Sequence, residues 1–304
     1  MINALHNGWC AADRLKLKRN GEPSMLSLVL CAICFSGIHL GVAGTPLRDG
    51  AIAALGEGAY RVAFSIASLV AIMGLVVTYR NAPYVATWGI PEWWKPMAII
   101  LMLPAFLLAV IGLTTPNPAS MGQEARVTRS PEGIVRVTRH PFLIGVGLWA
   151  VVHLVANGDV ASFIFFGTLA VTALAGTVSI DRKRRRTLGR GWQSFAAQTS
   201  IVPFAAIAAG RTRFNSGEIA ASQWAAAVIA YALMLGGHSS IIGVSPFPAL
   251  SPVSDEITKA LSLSQIRFEH TEDPPRLGAA SQMSPAALVS SSGVPRRGPP
   301  PRAK

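Results

Sequence analysis

Residues 136–159 read RVTRHPFLIGVGLWAVVHLVANGD, and residues 160–180 follow at once as VASFIFFGTLAVTALAGTVSI. Neither 141–157 nor 160–180 contains an Asp, Glu, Lys or Arg, and only Gly158 and Asp159 separate them. Each run approaches the roughly 20 residues that a helix needs to cross a bilayer. Backbone polar groups find no water in lipid, so such runs must be helices or strands of a closed barrel. Polarity does not alternate along them, which argues against a barrel. The stretch therefore reads as a tight helical hairpin, with Asp159 placed to cap its second arm.

Outward from the hairpin, further apolar runs occupy about 25–43, 61–79, 96–113 and 219–238. The expected fold class is all-α, a polytopic membrane helical bundle of about six transmembrane helices. Pro104 falls inside the third span, a position that membrane helices tolerate. Composition agrees: 51% of the 304 residues are hydrophobic and 14% charged, against about a quarter charged in soluble domains. Trp88, Trp93 and Trp94 precede the third span, and Trp192 and Trp224 lie near other edges, as an aromatic belt requires. Residues 191–210 are too polar and too broken by Pro203 to cross, and read as an interfacial or re-entrant segment.

Three domains follow: a polar N-terminal extension over 1–24, a transmembrane domain over 25–248, and a Pro-, Ser- and Arg-rich tail over 249–304 that is expected to be disordered.

The formal charge is +12, but the basic residues sit in loops between spans. Orientation in the membrane explains them better than nucleic-acid binding. One set of loops holds Arg48, Arg126, Arg129, Arg136, Arg139, the run Arg182–Arg186, Arg190, Arg211 and Arg213, and these loops are expected to be cytoplasmic. The run 182–186 reads as a topology determinant that touches anionic lipid. Both termini then lie outside, which the basic residues of 1–24 oppose; a start at Met25 would remove the conflict. Expected partners are membrane lipids and a lipophilic small molecule.

Cys31 and Cys34 form C-A-I-C inside the first span. A redox pair of the thioredoxin type needs a βαβ context, so two small apolar residues is the plainer reading. Glu57 and Arg61 suit an ion pair at a helix start.

Ionisable residues within spans are costly in lipid and are functional candidates by default. His39, His140, His153 and His238 qualify. Counting along the spans places His39 and His140 near the basic end. His153 lies 13 residues beyond His140, about 20 Å deeper at 1.5 Å per residue, level with His238. Each depth-matched pair admits two readings: an interhelical hydrogen bond, or ligands clamping a haem iron between facing helices. Arg48, Arg136 and Arg139 lie at the end of the bundle where haem propionates would need cations.

The segments GIHL (37–40), PLRD (46–49), LGEGAYR (55–61), LMLPAF (101–106), RVTRHPFLIGVGLWAVVHLVANGD (136–159) and HSSIIGVSPFP (238–248) together resemble the NnrU family, across about residues 25–250. That family is similar to the 15-cis-zeta-carotene isomerases of plants and cyanobacteria. The resemblance implies a bacterial inner-membrane protein associated with denitrification. Through the isomerase relatives it also implies haem b and cis–trans isomerisation of a carotenoid. His39 and His140 match the positions that would bind haem; His153 and His238 have a less clear role. A second resemblance, carried by RHPFLIG (139–145) and GRGWQSF (189–195), is to membrane methyltransferases that use S-adenosylmethionine on isoprenylcysteine or phospholipid amines. The Tyr usual two residues after the Pro of that motif is Leu143 here.

Overall fold

A computed structural model describes residues 24–89 and 93–248. The expected extension and tail lie outside the described residues, apart from Ser24. Ser24 starts the first helix, α1 (Met25–Ser36), by accepting from the Ser27 amide, the usual work of an N-cap serine. The chain continues without a break as a π-helix over Gly37–Val42. Then come α2 (Leu47–Leu55) and α3 (Glu57–Asn81). Gly56 separates them at φ 81°, a conformation that costs a residue without Cβ little. Glu57 and Arg61 pair at 2.7 Å on the first turn of α3, as expected.

Next are α4 (Trp94–Thr114), with Pro104 accommodated inside it, and the single turn α5 (Ile134–Val137). α6 (Pro141–Asn157) opens with proline at its first position, where the missing N–H is not needed. Gly158 ends it in the left-handed region, and α7 (Val160–Gln198) begins at once. Asp159 caps α7 by accepting from the Ser162 amide at 3.0 Å. The two-residue hairpin is thus as expected. α8 (Ala205–Ala208) and α9 (Ala221–Ile242) complete the chain. Among the described residues the sole strand-like feature is an isolated bridge between Ala86 and Asp159.

Small residues set the closest helix approach. A Cβ on Gly145 of α6 would lie 2.7 Å from the Ala105 carbonyl oxygen and 2.8 Å from the Ala109 amide of α4. Backbones can approach this closely only where a side chain is missing. α9 joins α4 through the Tyr231 hydroxyl, which donates to the Ile99 carbonyl at 3.0 Å. α1 meets α7 where the Ser36 and Thr172 hydroxyls lie 3.0 Å apart.

Two apolar cores result. One lies within the spans, among Leu28, Phe35, Leu75, Phe165, Phe166 and Leu169. The other lies under the basic loops, among Ile134, Val135, Val137, Trp192, Phe195 and Ile219. By contrast, Leu26, Leu30, Ile33, Val62, Ile66, Leu69, Val70 and Met73 are exposed on α1 and α3. A soluble monomer rarely carries such a continuous apolar face; lipid satisfies it. Among the described residues, five helices are long and apolar enough to cross a membrane. α6, a shorter apolar helix of 17 residues, packs between α4 and α7. The chain is a multi-pass membrane protein.

Two expectations change. Within 191–210, α7 runs on to Gln198 beyond a kink at Gly189 and buries Trp192 and Phe195, while Val202 and Phe204 stay exposed. Trp192 therefore packs in the second core and is no member of an aromatic belt. Within the run 182–186, Arg184 turns inward and is buried. It donates to Glu124 at 2.6 Å and to the Ser120 carbonyl at 2.8 Å. One residue of a run taken for a lipid-facing signal is thus a tie between α7 and the loop before α5.

Candidate functional site

The four histidines sort by what their ring nitrogens touch. His39 lies in the π-helix, where its Nδ1–H donates to the Phe35 carbonyl at 2.8 Å. His153 donates from Nδ1 to the Trp149 carbonyl at 2.9 Å, and His238 from Nδ1 to the Val244 carbonyl at 2.7 Å. A carbonyl can only accept, so each of these rings carries a proton on Nδ1. That leaves Nε2 with its lone pair, the tautomer suited to a metal or a proton. His140 differs. Its Nε2–H donates to Asp181 Oδ1 at 2.7 Å, and the residue is 4% exposed.

His39 and His140 do not meet as expected. Ser36 bonds Thr172, and Gly44 packs directly on Ser179. The π-helix between them therefore runs beside α7 at about residue 175. His140 is anchored at Asp181, about six residues or 9 Å further along α7. No ring contact or shared hydrogen-bond partner joins the two histidines among the described residues.

The deeper pair behaves as expected from depth. The rings of His153 and His238 lie 6.3 Å apart between centroids, inclined by 25°. His153 also stacks on Phe166 at 5.1 Å. No group of three or more His, Cys, Asp or Glu among the described residues is placed to share a metal ion.

The three arginines also diverge. Arg136 grips Glu218 in a two-pronged pair, 2.7 Å from Nε and 2.8 Å from Nη2, and adds a bond to Thr212. That guanidinium holds the Glu218 carboxyl below the usual carboxylate range. Arg139 lies 3.3 Å from Asp181 Oδ2, so one carboxylate serves both Arg139 and His140. Asp181 was not among the residues singled out in the sequence. A lone aspartate directly before the basic run 182–186 gives no signal of which groups it will face. Arg48 remains loosely held: its partner Asp49 is 3.5 Å away and 72% exposed.

His39 looks into an open cleft of about 460 Å³ between the α1–π-helix segment and α3. Phe35, Phe64, Leu69 and Ile72 form its walls, with Ser65 and Ser68 as polar points and Met121 at one end. The Ser68 hydroxyl is buried without a partner. His39 contacts both aromatic walls, 4.3 Å from Phe35 and 5.6 Å from Phe64 between centroids. A π-turn placed against such a cleft is a common functional device. Sequence spacing gave no sign of it, because the extra residue per turn leaves the apolar pattern intact.

The profile of the NnrU protein family matches residues 27–246. The chain belongs to the NnrU family. Curated relatives carry a more specific description. The chloroplastic 15-cis-zeta-carotene isomerase of Arabidopsis thaliana is 30% identical over 203 residues, covering 63% of this chain and 53% of the relative. The chloroplastic 15-cis-zeta-carotene isomerase of Zea mays is 27% identical over 196 residues, covering 61% and 51%. The chain thus spans about half the length of the curated relatives it matches. No solved structure matches. Within this NnrU-family chain, the matched region contains α1 from residue 27, all of α2 to α9, and His39, His140, His153 and His238.

Proposed function

We propose that the chain binds a lipid-soluble polyene in the His39 cleft and serves its cis–trans isomerisation, the reaction class named for its relatives. The observation that carries this is the cleft itself: an apolar, aromatic-walled opening on the lipid-facing side of the bundle, with a bare imidazole nitrogen in its wall. Polyenes are insoluble in water, so access sideways from lipid suits them. The Phe35 and Phe64 rings and the Leu69 and Ile72 side chains grip the chain and keep water away from it.

Rotation about a conjugated double bond requires that its double-bond character be lowered for a moment. His39 Nε2 is the group of this chain positioned to hold a proton or a metal-bound group against the polyene. Haem b held through His39, with Arg48 near its carboxylates, would supply one-electron or Lewis-acid chemistry at that point. Arg136, Arg139 and His140, expected to share in holding it, are committed to Glu218 and Asp181.

The same commitments weigh against the methyltransferase reading, since Arg139 and His140 carry that resemblance and are spent on structural contacts. A role in denitrification finds no corresponding support in the cleft. The positive-inside bias supports a bacterial inner membrane with the basic loops on the cytoplasmic side.

The test is to plug the cleft. Leu69→Trp should abolish saturable polyene binding and cis–trans conversion, read by absorbance and chromatography, while leaving elution and thermal stability unchanged. Full binding and conversion in the plugged protein would remove the cleft from the mechanism.

A further inference from the structure

The loop after α7, residues 199–211, is built onto the segment that enters α6. The Arg139 amide donates to the Ser200 carbonyl at 2.9 Å, and the Phe204 amide to the Val137 carbonyl at 2.8 Å. Between them the Thr138 hydroxyl donates to the Ile201 carbonyl at 2.7 Å. The depth of this loop follows from α7. Its charge-free residues 160–180 rise about 32 Å at 1.5 Å per residue, enough for a hydrocarbon core about 30 Å thick. Asp181 comes next and therefore marks the edge of the hydrocarbon on the basic side. Arg139 lies 3.3 Å from it, so the loop bonded to Val137, Thr138 and Arg139 stands at that same edge.

Two features of the loop exceed what a turn needs. Val202 is 66% exposed and Phe204 59%. Phe204 is also the one non-glycine residue with positive φ, 63°, among the described residues. A bulky residue adopts that backbone only where its surroundings hold it. Here the bond to Val137 holds it, together with the Ala208 amide, which donates to the Phe204 carbonyl at 2.8 Å. The same loop carries a charge without a counter-ion. Arg211 donates from Nη1 to the Ala197 and Thr199 carbonyls at 3.0 and 3.1 Å, and it meets no carboxylate among the described residues. Its Nε and Nη2 make no hydrogen bond there either. Arg139 donates to the same Thr199 carbonyl at 3.4 Å, so two guanidinium groups converge on one oxygen. Asp181 pairs with Arg139 but is shared with His140, which leaves a positive surplus at the edge of the hydrocarbon.

We infer that this loop is a binding site for an anionic phospholipid of the leaflet on the basic side. Arg211 takes the phosphate through Nε and Nη2, and Val202 and Phe204 lie among the acyl chains. A phosphate accepts two parallel bonds from one guanidinium, and the two carbonyls on Nη1 fix that guanidinium in place. A zwitterionic lipid brings a cation of its own, which the surplus charge of Arg139 and Arg211 repels. A lipid is favoured over a second copy of the chain because apolar side chains and charge stand together at the edge of the hydrocarbon. The site is separate from the His39 cleft and does not depend on the reaction proposed there. It ties the entrance of α6 to the bilayer surface.

The test offers the full chain, in mild detergent, phosphatidylglycerol and phosphatidylcholine with identical acyl chains, and counts bound lipid by native mass spectrometry. Phosphatidylglycerol should be held about fivefold more tightly, the effect of one arginine beside an anionic lipid. Arg211→Gln should bring the two lipids to parity at the unchanged affinity for phosphatidylcholine, which also reports that the variant is folded. Arg80→Gln, an equal loss of charge in the last turn of α3, should keep the preference. Phe204→Gly removes the ring and suits the left-handed backbone. It should weaken both lipids while the thermal midpoint in lipid-free detergent holds or rises. Phosphatidylglycerol with a photoactivatable diazirine in its acyl chain should crosslink within residues 202–204. Equal retention of the two lipids by the unmodified chain, a preference that survives Arg211→Gln, or crosslinks confined to other segments would overturn the inference. Crosslinking of Val202 or Phe204 to a second copy would assign the patch to a dimer and overturn it as well.

Discussion

His140 and His39 belong to the same half of the bundle, yet they have opposite surroundings. His140 is buried, its Nε2–H spent on Asp181, and Asp181 is shared with Arg139. His39 stands in a π-helix at the edge of an open cleft, with Nε2 bare. The first region is closed polar architecture, in which each group restrains another. The second leaves a hydroxyl, a phenol and an imidazole nitrogen without partners. Buried polar groups are normally paired, so a local cluster of exceptions needs an explanation. A ligand supplies one at His39; beside His140 the exception is the Nε of Arg139, whose guanidinium is otherwise held by Asp181 and the Thr199 carbonyl.

The contrast can be broken most forcefully at Asp181. Removing one partner of a buried ion pair leaves the other charge uncompensated, at a cost of about 3–5 kcal/mol. Asp181→Ala should therefore lower the thermal midpoint in detergent more than any substitution in the cleft. A midpoint within a degree or two of the unmodified protein would show that the polar architecture restrains little.

Packing gives the next effect. Gly145→Val must push α6 away from Ala105 and Ala109, at about 1–3 kcal/mol for an overfilled contact. Thermal unfolding checks it, and an unchanged midpoint would mean the helices separate freely. His39→Ala should leave the midpoint nearly unchanged and remove conversion of a cis-polyene. The smallest effect concerns pH. The Glu218 carboxyl is held below its ordinary range by Arg136. Its contribution to stability is present above the unfolded-state value of about 4.3. It is lost as pH falls through the lower folded value. Glu218→Gln should flatten the acid side of the stability profile; an unaltered acid limb would dismiss the pair as a stabilising contact.

Much of the architecture was legible before the coordinates. Apolar run length located the spans, the Gly158–Asp159 junction gave the hairpin, and depth alone paired His153 with His238. Depth counted along the spans did not show that the π-helix of His39 runs beside α7 about six residues short of the Asp181 that holds His140. A residue count also says nothing about where a side chain points around its helix. The charge run 182–186 hid Arg184 for the same reason, since one-dimensional charge density cannot tell the inward residue from its neighbours. Tyr60 and Ser68 gave no sign at all. Their significance lies in lacking partners, a property of three-dimensional surroundings.

The central claim is that the open histidine acts and the closed one restrains. Its most direct test is to incubate the isolated chain, as purified, with a cis-polyene in the dark. Chromatography then follows the all-trans fraction for the unmodified protein, His39→Ala and His140→Gln. The account predicts conversion above the protein-free control in the unmodified chain, none in His39→Ala, and retained conversion in whatever fraction of His140→Gln remains folded. Conversion that survives in His39→Ala, or is absent from the unmodified protein, would contradict it.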